Sequence, residues 1–210
     1  MNELRPDSEQ TLALLDAAGR GERAAVDRLL TRHRDEVRSF VEARLDPRVA
    51  ARIDPSDVVQ EAQLEVVRRM DDFLRRRPMP FRLWVRKTAY ERLLDLHRHH
   101  LKRAKRSVRR EVPLPERSSL LLVRPLLAGG ATPSQSLEAR ELAERVAEAV
   151  AGLSEADREV LLMRHGEGMP FEEIGCLLDI EPAAARKRFG RALIRLQKAL
   201  RDRGLLGESS

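Results

Sequence analysis

The sequence predicts an all-α protein, two small helical domains joined by a flexible linker, and three observations carry that expectation. Ala, Leu, Arg and Glu dominate while aromatics make up 3% of the 210 residues, a balance that favours helices over strands. Apolar residues recur at three- and four-residue steps through most of the chain. Residues 111–135, EVPLPERSSLLLVRPLLAGGATPSQ, break that rhythm with four prolines and a Gly-Gly, the composition of a connector. The expected boundaries are 1–107, 108–135 and 136–205. A hydrophobic share of 42% is enough for packed cores on both sides.

The elements follow in order. Residues 8–18 and 22–44 read as two helices parted by Gly19 and Gly21, with Leu12, Leu15, Val26, Leu29, Leu30, Val37 and Val41 on helical spacing. In DPSD, Asp54 fits an N-cap, Pro55 the first helical position and Asp57 a first-turn carboxylate. That helix is expected to reach about Leu74. Val58, Ala62, Val66, Met70 and Phe73 form its apolar face, and Asp57, Gln60, Glu61, Glu65 and Arg68 lie on another. RRRPMP, residues 75–80, interrupts the chain. A further helix from near Pro80 carries Phe81, Trp84, Val85, Thr88, Ala89, Leu93 and Leu96 inward. Within the linker, SSLLLV is too apolar to float in water, so it is expected to pack on this protein or on a partner, or to form a short buried helix. Residues 136–151 read as an acidic amphipathic helix, and Ser154 as the cap of a helix reaching about His165.

Charge is unevenly spread. Residues 75–110 hold 14 Lys/Arg against two Asp/Glu, and residues 182–203 hold eight against one, although the whole chain is only +6. Two basic islands in an acidic body suit contact with a polyanion at two separate places; solvated helix faces are the plainer alternative.

The second island sits on MPFEEIGCLLDIEPAAARKRFGRALIRLQKAL, residues 169–200. Phe171, Ile174, Leu177 and Leu178 give a short helix its buried side. Asp179-Ile180-Glu181 makes the turn, with Ile180 as an apolar plug, and Pro182 opens a longer helix. Along that helix Ala185, Phe189, Ala192, Leu193, Leu196 and Leu200 form one stripe. Ala183, Lys187, Gly190, Arg191 and Lys198 lie opposite it, with Ala184, Arg186 and Arg188 on the flanks. A short helix, a tight turn and a basic-faced helix make a helix-turn-helix, whose second helix enters the major groove N-terminus first. Ala183 and Ala184 permit close approach, and Arg186, Lys187, Arg188 and Arg191 are the candidates to read bases or grip phosphates.

Together these stretches resemble a known family. DPSDVVQEAQLEVVRRMDDF resembles the second conserved region of bacterial sigma factors, in which an acidic-start helix docks on the polymerase clamp. FRLWVRKTAYERLLDLHRHHLKR is similar to the adjoining helix that opens the promoter near position −10. LSEADREVLLMRHGEGMPFEEIGCLLDIEPAAARKRFGRALIRL is similar to the fourth conserved region, which binds the −35 element. Both regions occur in order, and nothing resembles the acidic first region or a folded third domain, the pattern of extracytoplasmic-function (ECF) sigma factors of the sigma-70 family. The resemblance covers roughly residues 8–105 and 136–203. It implies a sigma factor that attaches to core RNA polymerase through Asp57, Gln60, Glu61 and Glu65. For the −10 strand it implies Arg75, Arg76, Arg77, Met79, Arg82, Arg86, Lys87 and Tyr90. An anti-sigma factor is common in the family. Three positions depart from its pattern: Glu91 stands where Asn is usual and would repel phosphate, Asp179 replaces the Gly of the turn, and Glu181-Pro182 replaces the Ser/Thr that starts the recognition helix.

Other classes find little support. His97, His99 and His100 cluster without Cys or acidic residues at zinc spacing. No phosphate-cradling glycine loop or nucleophile elbow is present, so neither an enzyme nor a cofactor is expected. One cysteine, Cys176, no apolar signal core and no run approaching a membrane span lead to the expectation of a cytoplasmic protein with no membrane insertion. A duplex-DNA regulator that is not a sigma factor would explain residues 154–200 but leave the first domain unexplained.

Overall fold

The computed structural model describes residues 4–45, 54–104 and 145–205. The linker 108–135, with its SSLLLV, and residues 136–144 of the expected acidic helix lie outside the described residues, as do the side chains of His97, His99 and His100. The chain divides into two compact units, Met1–Arg110 and Glu111–Ser210, and the described residues of both contain helices and turns with no strand.

The first unit contains α1 (Glu9–Gly19), α2 (Arg23–Glu42), α3 (Pro55–Arg76) and α4 (Phe81–Ala104). Ser8 caps α1 by accepting the Thr11 N–H. Gly21 makes the turn into α2 with φ +89°, a conformation open to glycine at little cost. Asp54 caps α3 through the Ser56 N–H at 2.7 Å, and Pro55 opens the helix. The core joins Leu15 of α1, Leu29, Val37, Phe40 and Val41 of α2, Val58, Ala62, Val66, Met70 and Phe73 of α3, and the first half of α4. Phe73 stacks on Trp84 at 4.3 Å between centroids, and Phe81 meets Phe73 edge-on, the geometries that ring quadrupoles favour. Trp84 thus serves the core.

The first half of α4 is buried on more than one side, because it packs against both α2 and α3. Leu83 and Tyr90 therefore join the expected inward set, while Leu96 is only half-buried.

In the second unit residues 145–151 are helical, followed by α5 (Glu155–Leu161), a π-helical turn (Leu162–Gly166), α6 (Phe171–Leu178) and α7 (Pro182–Asp202). Ser154 caps α5 through the Asp157 N–H. The α-helix expected to run to His165 instead widens at Leu162. The Glu167 N–H donates to the Leu162 carbonyl and the Met169 N–H to that of Met163, and Gly168 turns the chain at φ +64°. The wide turn buries Leu162, Met163 and Met169 together. Val160, Ile174, Leu177, Ala185, Ala192 and Leu200 are among the other residues of this core.

Candidate nucleic-acid interface

The junction of α6 and α7 is built by three backbone features. Asp179 takes the left-handed conformation (φ 55°, ψ 46°) and donates its N–H to the Gly175 carbonyl. Asp and Asn reach this region more readily than other side chains, so the usual glycine is dispensable here. The Ile180 N–H reaches the same Gly175 carbonyl at 3.0 Å. A Cβ on Gly175 would lie 2.6 Å from the Ile180 carbonyl oxygen, so the close helix crossing requires glycine at that position. Glu181 precedes α7 without a side-chain cap, and Pro182 starts the helix, where its missing N–H costs nothing.

α7 is held at two further points. Arg195 pairs with the buried carboxylate of Asp157 on α5 at 2.5 Å, and Ala185 and Ala192 sit in the core. The remaining face is open: Ala183, Ala184, Arg186, Lys187 and Arg191 are exposed and Arg188 half-buried. None of these four cations has an ion-pair partner among the described residues. Arg186 lies over the Phe171 ring at 5.3 Å from its centroid, and Arg164 lies over the same ring at 4.8 Å. Arg164 also donates to the Met169 carbonyl. Sequence spacing did not reveal Arg164 or Phe171 as parts of this surface, because the π-helical turn brings Arg164 to the ring. Ile194, 66% exposed, adds an apolar spot further along α7.

The loop between α3 and α4 presents a contrasting surface. Arg75, Arg76, Arg77 and Pro78 are exposed, and Met79 is half-buried. Arg75 and Arg76 both pair with Asp72, at 3.4 and 3.1 Å, and Arg77 pairs with Asp16 at 2.8 Å. The Arg77 backbone is left-handed (φ 37°), its N–H closing α3 onto the Phe73 carbonyl. Arg82 donates to the Arg5 carbonyl, Arg86 pairs with Glu36, and Lys87 is half-buried and also engaged. The Glu36 carboxyl is held below its usual range, chiefly by its hydrogen bond with His33 and then by Arg86, against an opposing effect of burial. The expectation that Tyr90 lines this surface is corrected: it is 7% exposed and meets Phe40 edge-on at 6.3 Å in the core. The twofold packing of α4 turns that side inward.

On α3, Asp57, Gln60 and Glu61 are exposed together, while Glu65 is half-buried and lies near Arg68 and Arg92. Between and beyond them stand Leu64, 59% exposed, and Val67, 48% exposed, an apolar spot that the charged pattern concealed. Glu91 meets Arg69 of α3 at 3.6 Å, so its charge is answered within the unit. No group of three His, Cys, Asp or Glu suited to a metal occurs among the described residues. No described helix is long and apolar enough to cross a membrane.

Residues 143–196, spanning the helix-turn-helix, match the sigma-70 region 4 family. The chain is 26% identical over 180 residues to an ECF RNA polymerase sigma-E factor of Haemophilus influenzae, covering 86% of this chain and 89% of that protein. The chain is thus similar to ECF sigma factors of the sigma-70 family. A probable RNA polymerase sigma factor, RfaY, of Xanthomonas campestris pv. campestris is 28% identical over 149 residues, 70% of this chain; the match spans about a third (34%) of that relative's length. Two solved structures share the fold of this chain, each with a TM-score of 0.56. CnrH in complex with the cytosolic domain of CnrY is 22% identical, over 92% of this chain and 99% of that one. RpoE of Bartonella quintana with the anti-sigma factor NepR is 16% identical, over 83% and 96%.

Proposed function

We propose that this chain is an ECF sigma factor that binds core RNA polymerase and directs initiation at promoters with −10 and −35 elements, holding one strand open. The observation that carries the reading is the row Arg186, Lys187, Arg188 and Arg191, without ion-pair partners among the described residues, on the first turns of the second helix of a helix-turn-helix. Entering the major groove N-terminus first, that helix discriminates bases by ~1–3 kcal/mol for each good bidentate pair. Its other cations, with Arg164 beside them, hold phosphates.

Residues 1–107 act as the polymerase-binding and strand-opening domain, 108–135 as the linker and 136–205 as the −35 domain. Asp57, Gln60 and Glu61 meet basic or amide groups of the polymerase clamp around the apolar contact of Leu64 and Val67, with Glu65 bracing this face against Arg92 of α4. Loop Arg75–Met79 receives a flipped base, and Arg82, Arg86 and Lys87 follow the strand; Tyr90 supports them from the core. Unpairing and unstacking cost a few kcal/mol, which single-strand capture offsets. This work involves no covalent chemistry and takes place in the cytoplasm, where polymerase and promoter are. The likeness to RpoE in complex with the anti-sigma factor NepR supports an anti-sigma factor as a further partner.

The test is transcription in vitro with core polymerase from the same source and DNA from upstream of the protein's own gene. The expected result is a discrete transcript, lost with Glu61→Ala or Lys187→Ala. Binding to duplex DNA alone, with neither a transcript nor core binding, would replace this reading with a duplex-DNA regulator.

A further inference from the structure

α4 begins at Phe81, directly after Pro78-Met79-Pro80. The first N–H groups of a helix have no acceptor within it. A Ser, Thr, Asp or Asn just before the helix usually supplies one, but Pro80 has no such side chain. The acceptor comes from the other end of the unit. Asp7 Oδ2 accepts the Phe81 N–H at 2.5 Å, and Asp7 Oδ1 accepts the Arg82 N–H at 3.1 Å. A carboxylate at this end of a helix is also favoured by the helix dipole.

Two further contacts bracket the same place. The Arg82 guanidinium donates to the Arg5 carbonyl at 2.8 Å, and the Arg77 guanidinium to Asp16 at 2.8 Å. The segment that supplies these groups is itself fixed. Ser8 caps α1, and Thr11 hydrogen-bonds the buried His33 of α2. Both sides of the 78–80 turn are therefore tied to residues 5–16. Phe81 is fully buried against Phe73, Trp84 and His33, so packing anchors the helix without Asp7. The carboxylate instead decides the backbone direction of the first turn, where Arg82 emerges and the loop closes.

We infer that Asp7 is a positioning residue for strand capture. It acts through the Phe81 and Arg82 N–H groups and fixes the mouth of the loop Arg75–Met79. The inference rests on the proposed function, which places a flipped base in that loop. Asp7 itself touches no DNA in this scheme.

The test uses the full chain, as parent, Asp7→Ala and Asp7→Asn, each assembled with core polymerase on duplex DNA from upstream of its own gene. Holoenzyme formation, promoter occupancy and permanganate reactivity of unpaired thymines are read separately. Asp7→Ala is expected to form holoenzyme as the parent does and to slow the appearance of unpaired thymines about fivefold at equal occupancy, the size of a lost helix cap. Asp7→Asn keeps an acceptor for one N–H and recovers part of that rate. Opening at the parental rate by Asp7→Ala would overturn the inference and leave the proposed function standing. A loss of holoenzyme formation in proportion to the loss of opening would also overturn it, showing a role in stability alone. If the parent forms no holoenzyme, or forms it and opens no DNA, the proposed function fails and the inference fails with it.

Discussion

The loop between α3 and α4 and the first turns of α7 are both rich in cations, yet they present their charge differently. Around the loop, Arg75 and Arg76 share Asp72, Arg77 has Asp16 and Arg86 has Glu36. On α7, Arg186, Lys187, Arg188 and Arg191 have no such partners among the described residues. A count of lysines and arginines treats the two surfaces as equals, but their fields differ. A phosphate near α7 meets uncompensated charge. A phosphate near the loop must exchange places with a carboxylate already there, so its net gain is small. This suits two different tasks in the proposed function. The −35 surface grips duplex DNA at once, while the −10 surface gains most once bases leave the stack and the loop itself, rather than its charge, makes the contact.

The sharpest way to break the comparison is to remove one surface from below. Phe73 is 3% exposed, stacked on Trp84 and set edge-on to Phe81, and it is the residue whose carbonyl closes α3 under Arg77. Phe73→Ala is expected to destabilise the first unit by about 3–5 kcal/mol. Urea unfolding should show this as an earlier transition of that unit. Binding of a −35 duplex should stay within twofold of the parent, because none of the α7 cations rests on this core. Equal loss at both surfaces would show that they do not act as separate modules.

A smaller effect separates the two kinds of charge. Lys187→Ala removes an exposed cation with no ion-pair partner among the described residues. It is expected to weaken −35 duplex binding by about 1–3 kcal/mol if it reads a base. If it grips a phosphate, it should lower the slope of log affinity against log salt by about 0.9. Arg76→Ala removes a cation that Asp72 already answers and leaves that carboxylate to Arg75 alone, so its effect on single-strand binding should be smaller and its salt slope nearly unchanged. Fluorescence anisotropy over a salt series reads both. Matching slopes for the two variants would erase the distinction between the two surfaces.

How far these surfaces were legible in the sequence depends on how local their causes are. Asp54-Pro55 announces the start of α3 because cap and helix are adjacent. Gly21, which has no side chain, and Asp179, whose short polar side chain tolerates it, mark turns of positive φ. The α6–α7 motif is readable from a stripe of period 3.6 and a run of cations. Tyr90 was misplaced because α4 is buried on more than one side, and periodicity identifies one buried face only. Leu64 and Val67 were missed because an apolar residue within a charged pattern betrays its exposure only in three dimensions. The cap on α4 was missed because Asp7 lies 74 residues from Phe81, beyond any spacing rule. The acids that answer the loop arginines divide in the same way: Asp72 is close in sequence, Asp16 and Glu36 are distant.

The least of the expected effects tests whether those distant acids matter at all. Glu36 lies between His33 and Arg86, and its carboxyl titrates below the ordinary 4.5 in the folded chain. A depressed carboxyl binds its proton less readily in the folded state than in the unfolded one. Its contribution is therefore complete above the unfolded value and is lost as the pH falls through the lower, folded one. Because its side chain is 42% exposed, solvent screening limits that contribution to about 1 kcal/mol or less. Glu36→Gln should therefore be less stable than the parent near neutral pH, and the gap should close below pH 4.5. Urea midpoints of parent and variant across a pH series give the difference directly, since every other carboxyl is common to both. A gap that persists unchanged into acid would mean that the Glu36 side chain contributes through packing, and that Arg86 is not held by its charge.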